Sequence, residues 1–460
     1  MDTVAQVSMA LKEVLGTAAE RAGWTSGFVR RSSKLTAAAC VQTLVVGYLR
    51  DPRASWSQLA CTAAEVGVAI TPQGLYARLG ESAAGLLREV LTAATQQVIA
   101  AVPNAVPLLE RFPAVLVQDS TTLALPDALG DEWAGCGGRT PQGTAAALKL
   151  QVRLDLRSGR LEGPELQAGR TSDQVGALVD TPGPPGALHL NDLGYFQVAR
   201  LAAWQTAGVY WLTRIKLGTQ VRTARGEEAL TPTWLRRHGA APCETAVEVG
   251  RAHRVSARLL VLPVPPAVAQ ERRRQWRAEA RREGQTPSAA RLALADWTLW
   301  LTNVPPEQLS VQEAGVLARV RWQIELLFKL WKRDRRLARW HNTQPAAVLC
   351  EVYAKLVGVL VQHWLLLVSG WTVTAHSWAR AATALRGALG VLLGAFRGCW
   401  PLALAVEQAR VGLAGCRISA RRRYPSTGQL LADPSLPLPF RRRYPSRYAR
   451  KPDATRQKLA

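Results

Sequence analysis

Residues 321 to 332, Arg-Trp-Gln-Ile-Glu-Leu-Leu-Phe-Lys-Leu-Trp-Lys, can fold in few ways. Wound as a helix at about 100° per residue, the stretch gathers Arg321, Lys332, Glu325 and Lys329 into one arc of about 80°. Trp322, Ile324, Leu326, Leu327, Phe328, Leu330 and Trp331 fill most of the remaining circle. A helix that is apolar on nearly every side belongs in an interior. A charge there is costly unless it is paired or bound to metal. The plain alternative is an i,i+4 Arg–Glu pair on a solvated face. The apolar surroundings argue against it, and the arc is expected to face a polar functional site.

The rest of the chain must supply that interior. With 460 residues it has room for two or three domains. At 48% hydrophobic and 20% charged residues it reads as globular rather than disordered. Lys and Arg number 58 against 34 acids, a net charge of +24. Such an excess implies a polyanionic partner: nucleic acid by default, an anionic membrane surface as the rival. The start, Met-Asp-Thr-Val-Ala-Gln, has neither a basic leader nor a long apolar core, so no secretory signal is expected. The apolar run 356–368 is interrupted by Gln362 and His363, so a buried core helix is expected rather than a membrane span. The seven cysteines are scattered, with no Cys-x-x-Cys, and support neither a zinc site nor a disulfide framework; a reducing cytosol is the simplest compartment.

Along the chain, residues 1–108 read as helical. Within them, Trp56 to Gly67, a glycine turn and a helix opened by Thr71-Pro72 and running through Arg78 give the outline of a helix-turn-helix, or of an ordinary helical hairpin. From Phe112 the texture turns to strands. Ala114–Val117 is a short buried run. Leu148 to Leu156 alternates with Lys149 to Arg157, predicting a strand with one wet face, then a hairpin through Ser158-Gly159 into Arg160–Leu166. Residues 171–180 read as a helix, 187–191 as a strand, then a helix through Ala207 and a strand 209–215. The predicted fold is α/β, a mixed five-stranded sheet with helices over residues 109–215 and 297–400. A β-rich insertion, 216–296, interrupts it, carrying a strand 257–262 and a basic helix around Glu271 to Glu283. A strand Trp297–Leu301 follows, then the helix described first, from near Gln312, and apolar helices near 346–368 and 377–396. Residues 401–460 read as a flexible basic tail. From Arg417 it has 12 basic and 2 acidic residues, and Arg-Arg-Arg-Tyr-Pro-Ser occurs at both 421 and 441, which favours DNA-backbone contact over an inert arm.

Three carboxylates stand out by position. Asp119 and Asp192 each follow a short apolar strand, and Glu325 lies on the unusual helix. Carboxylates that converge in this way repel one another unless cations fill the space between them. Hard oxygen ligands suit Mg²⁺ or Mn²⁺, and two such ions activate a water or 3′-hydroxyl at a phosphodiester. By spacing alone Asp127, Asp155, Asp173 and Asp180 compete, because Asp after a strand is commonly a turn residue.

Arg321, Glu325 and Lys332 reproduce Arg-(3)-Glu-(6)-Lys, which resembles the Tyr-(2)-Arg-(3)-Glu-(6)-Lys signature of the DDE transposases of bacterial insertion sequences. Val117-Gln118-Asp119-Ser120-Thr121 resembles that family's first aspartate motif, and Asp192-Leu193-Gly194-Tyr195-Phe196 its second. Thr302-Asn303-Val304-Pro305 is similar to the stretch ahead of its catalytic helix. The likeness runs from about Trp56 to about Trp340. It implies an RNase H-like core with an insertion, an N-terminal helical DNA-binding domain, and Asp119, Asp192 and Glu325 as catalytic ligands of two Mg²⁺ ions, for which Mn²⁺ substitutes. It also implies Arg321 and Lys332 as holders of DNA phosphates, with Lys329 beside them. Trp297 is expected against a flipped base at the element's end, or else in a strand's core. Double-stranded DNA, as terminal inverted repeats and target, is the implied partner of a homodimer that is cytoplasmic and nucleoid-associated, with no membrane. The signature's tyrosine is Ala318 here, which leaves open whether cleavage passes through a hairpin. A Mg²⁺ nuclease without strand transfer and a non-catalytic DNA-binding repressor are the rival functions.

Overall fold

The computed structural model describes residues 2–103, 105–137, 145–216, 218–334, 337, 340–342, 344–370, 378–416 and 425–436. Its strands are β1 (Val115–Leu125), β2 (Ala146–Asp155), β3 (Leu161–Ala168), β4 (Leu188–Asn191), β5 (Tyr210–Arg214), β6 (Val221–Thr223), β7 (Cys243–Val249), β8 (Val255–Pro263) and β9 (Trp297–Thr302). They join one sheet in the order β3-β2-β1-β4-β5-β9-β8-β7-β6. The expected five-stranded mixed sheet is its first half: β1, β2 and β3 are antiparallel neighbours, and β4 and β5 add in parallel to β1. The strands of 216–296 continue that sheet instead of closing a second one. The free edge of β5 pairs with β9, from Leu212↔Thr302 to Arg214↔Trp300, and β9 pairs along its full length with β8. Pairing hides backbone groups that an open edge would leave unsatisfied. The insertion nevertheless has its own apolar cluster, in which Trp234, Leu235, Val247, Leu259 and Trp297 pack with Trp204 and Trp211.

The polar face of β2 is not wet. All ten of its residues are buried. Residues 169–182 lie over this face and are bonded to it. Gln151 Nε2 donates to Val175 O at 2.9 Å, Arg153 Nη1 to Thr181 O at 2.6 Å, and Lys149 Nζ to Asp173 Oδ1 at 2.7 Å. Residues 171–180 were expected to form a helix; only Ala177–Asp180 is one. The segment's remaining backbone is available to satisfy the strand's side chains. Gly176, at φ 140°, makes the tight approach: a Cβ there would lie 2.6 Å from Glu165 Oε1.

The helix Pro345–Leu367 organises the other layer. It is 23 residues long, and by length and composition it is apolar enough to cross a membrane, so the break at Gln362-His363 does not exclude that on composition. In the fold it is enclosed, with every residue from Ala347 to Leu367 buried. A helix apolar on all sides needs partners on all sides. They come from both ends of the chain: Ala37–Arg50 and Glu81–Thr95 from the N-terminal region, with Trp378–Phe396 and Leu402–Leu413 after it. One core cluster therefore runs from Val7 to Leu431. The N-terminal helices do not stand apart from the sheet domain.

The two ends of the chain show further differences in detail. The second helix of the supposed helix-turn-helix, Pro72–Tyr76, has the predicted Thr71 cap but only five residues. Trp56 and Tyr76 pack ring to ring at 5.1 Å and hold the two helices together. In the supposed flexible tail, Leu402–Leu413 packs into the bundle, and Thr427–Ala432 lies against Val311–Val320 with Leu430 and Leu431 buried. Apolar residues there outweigh the local charge. The two Arg-Arg-Arg-Tyr runs lie outside the described residues.

Candidate active site

Sheet register brings the first two carboxylates together. β1 and β4 run parallel with Val117 opposite Leu190, so Asp119 and Asp192 lie each two residues beyond that pair. Asp119 is not past its strand as expected. β1 continues to Leu125 on β2 alone, and Asp119 lies just where its parallel partner ends. Asp192 directly precedes the short turn Leu193–Tyr195, and its side chain makes no capping bond to it. The crevice beyond the carboxyl ends of parallel strands is where open α/β sheets bind ligands.

The third carboxylate comes from the covering helix. That helix starts at Val311 on a Ser310–Glu313 capping box and is pinned ahead of β1 by Arg111, whose guanidinium bonds Glu313 Oε1 at 2.7 Å. It breaks at Arg321 and resumes as Trp322–Lys329. Ile324, Leu327 and Phe328 are buried on the apolar side, so Glu325 turns toward the strand ends. Buried Gln323 bonds Thr427 Oγ1 at 3.2 Å and ties the helix to the C-terminal segment.

Arg321 stands among the three acids. Its guanidinium lies 3.2 Å from Glu325 Oε1, 3.8 Å from Asp192 Oδ1 and 3.9 Å from Asp119 Oδ2. As placed, it is their ion-pair partner rather than a group held ready for phosphate, and its buried Nη1 has no hydrogen-bond partner. One cation does not offset three carboxylates at partial burial. Burial pushes Asp119 up to about 6 against the pull of the Ser120 amide and Arg321, and Asp192 and Glu325 add to the rise. Glu325 is likewise raised, by burial first, with Arg321 and Lys329 opposing.

The donor set suits a hard divalent cation: three carboxylates and a net negative charge at one crevice. Among the described residues no group of three His, Cys, Asp or Glu side chains could hold a metal ion as placed. Entry of an ion would require the guanidinium to withdraw and the carboxylates to close in. All seven cysteines are free thiols in the structure.

The other expected residues divide. Lys329 places its ammonium 4.0 Å from the centre of the Trp322 ring, on the helix face that carries Glu325. Lys332 lies in a π-helical turn, Leu330–Asp334, which rotates it off the α register; its side chain is exposed and pairs with no carboxylate among the described residues. Trp297 is a core residue, buried with its indole N–H donated to Gly239 O at 2.8 Å. Trp300 instead lines a cavity of about 360 Å³ beside the carboxylates, together with Asn191, Arg214, Arg272 and Ala318. Sequence reading missed Asn191. Its amide is buried, and neither Oδ1 nor Nδ2 has a partner. Only its position next to Asp192 could have flagged it.

The family model described as "Transposase DDE domain" matches residues 110–360, more than half of the chain. The chain belongs to the DDE transposase family. Its match takes in β1, β4 and the Glu325 helix, and so all three acids. Relatives include the transposase for insertion sequence element IS231E of Bacillus thuringiensis subsp. finitimus, 23% identical over 65% of this chain and 66% of the relative. That for IS231F of B. thuringiensis subsp. israelensis is 26% identical over 65% and 66%, and that for IS231C of B. thuringiensis subsp. berliner 24% identical over 73% and 74%. The match therefore spans about two thirds of these relatives' length.

Proposed function

We propose that the chain is a cut-and-paste transposase. It would recognise the terminal inverted repeats of an insertion sequence, cleave at their ends and join 3′-hydroxyls to target DNA, acting as a homodimer on two ends. Asp119, Asp192 and Glu325 would hold two Mg²⁺ ions, with Mn²⁺ able to replace them. Such ions, when bound, supply an activated water or 3′-hydroxyl and a counter-charge for the leaving oxygen. The single observation that carries the reading is the convergence of three carboxylates, from two parallel strands and the helix above them, at one crevice. Asp119 must be ionised to serve, and its raised pKa, about 6, makes metal binding fall off as pH drops toward that value. Arg321, displaced from the acids, swings toward a phosphate by the same charge logic that now holds it to them. Trp300 and the unpartnered Asn191 amide would meet a base beside the cut, the part expected of Trp297.

The test is nicking of the element's terminal DNA by purified protein with Mg²⁺. Wild type cleaves and joins, whereas Glu325→Ala binds the same duplex without nicking. Cleavage by wild type in the presence of chelator would overturn the metal mechanism.

A further inference from the structure

The basic helix of the insertion, Pro266–Arg282, is not accounted for by the site. It buries only Ala269 and Ala280. Two arginines on its inner side hold it to the sheet instead. Arg272 donates to Trp297 O at 2.9 Å and to Thr298 Oγ1 at 2.8 Å, and Arg273 pairs with Asp296 at 2.5 Å. On the opposite side, Arg277, Arg281 and Arg274 fall within an arc of about 60°. All three are exposed; Arg274 reaches Glu271 at 2.7 Å, and neither Arg277 nor Arg281 joins an ion pair among the described residues. Arg282 is exposed beside them, while Glu279 and Glu283 point away, on the far side of the wheel. Like charges one turn apart weaken a helix, so this row opposes the fold that carries it unless a polyanion neutralises it.

Resting on the reading of DNA as substrate, we propose that the ridge Arg274–Arg277–Arg281 is a sequence-independent track for a duplex DNA backbone, on the face of the insertion helix turned away from the sheet. Arg272, on the opposite side of the same helix, lines the cavity that Asp192 and Arg321 also line. From Arg274 to Arg281 the helix rises about 10 Å, room for two or three successive charges of one strand at about 3.4 Å each. A membrane surface fits less well. An interfacial helix needs large apolar side chains on its other face, and none of the exposed large hydrophobics lies on this helix.

The experiment is salt-dependent binding of the full chain to a random-sequence DNA duplex, comparing wild type with Arg274→Gln/Arg277→Gln/Arg281→Gln. Circular dichroism and thermal melting check that the surface substitutions leave the fold intact. The slope of log affinity against log salt should become shallower by about two to three. Affinity at low salt should drop tenfold or more, equally for unrelated duplex sequences. An unchanged slope in the triple variant, with wild type binding normally, overturns the track and leaves the proposed function standing. No salt-sensitive duplex binding by wild type overturns both. Loss of binding to phosphatidylcholine–phosphatidylserine vesicles with duplex binding intact also sinks the track.

Discussion

Glu351 and Glu325 each have a cation one helical turn away, Lys355 and Arg321, yet their surroundings differ in kind. Glu351 has no exposed side-chain surface, and its oxygens receive four partners: Lys355 Nζ at 2.7 Å and, at 3.0 Å each, the His341 amide, the His341 ring Nδ1 and Asn342 Nδ2. Lys355 in turn lies over the rings of Tyr48 and Trp340, at 5.3 and 5.4 Å. Trp340 donates to Ala124 O at 2.9 Å, so this cluster joins β1, an N-terminal helix and the enclosed helix. The Glu325 pair is shared with two more acids, is partly open to solvent, and leaves a guanidinium nitrogen unbonded. The buried pair is complete and acts as a structural joint. The crevice pair carries excess negative charge that the fold alone does not satisfy.

Stability measurements can break this contrast. Glu351→Ala leaves Lys355 buried without its carboxylate, and denaturant unfolding should show a loss of about 3–5 kcal/mol. Glu325→Gln, which relieves repulsion, should shift stability by less than about 1 kcal/mol. Equal losses would mean that the two pairs are alike. An effect smaller than the loss in Glu351→Ala is expected from pH. Asp119 binds its proton more tightly folded, at about 6, than at its ordinary 3.8. The folded chain therefore holds more protons between about pH 4 and pH 6, and this group's contribution falls as pH rises through that window, by on the order of 2–3 kcal/mol. In Asp119→Asn that part of the stability–pH curve should flatten; an unchanged curve would show that the acid is not perturbed. Smaller again is the response to metal. Millimolar MgCl₂ at pH 8 should stabilise wild type by about 1–2 kcal/mol, a rise of a few degrees in melting temperature, and Glu325→Gln should lose most of it. The last comparison is Glu351→Leu/Lys355→Met, which removes both charges and should lose less than Glu351→Ala, the remaining loss being the cost of leaving the His341 and Asn342 donors without their acceptor.

Much of the fold was legible because its signals are local. The 3.6-residue pattern of 346–368, the alternation of 148–157 and the proline breaks depend on near neighbours, and their elements appear within a few residues of where they were read. The errors arose where distant chain decides. β2 alternates as a half-wet strand should, but residues 169–182 cover its polar face with backbone acceptors. β6 and β7 were not read as strands, since Glu244, Thr245 and Glu248 on an outer pairing look like loop residues until a partner strand is present. Trp297 and Trp300 are both tryptophans of β9, and which one faces the crevice depends on how the strand lies in the sheet.

The sequence by itself determined the helical run Trp322–Lys329, with Glu325 and Lys329 on one face, and the motif order that marks a DDE transposase, because these follow from spacing along one segment. Only the tertiary structure decided that Arg321 lies among all three acids, that Asp119 lies inside its strand, and that both ends of the chain enclose one apolar helix. Those outcomes rest on strand register and on which buried surfaces meet, and no local pattern encodes either.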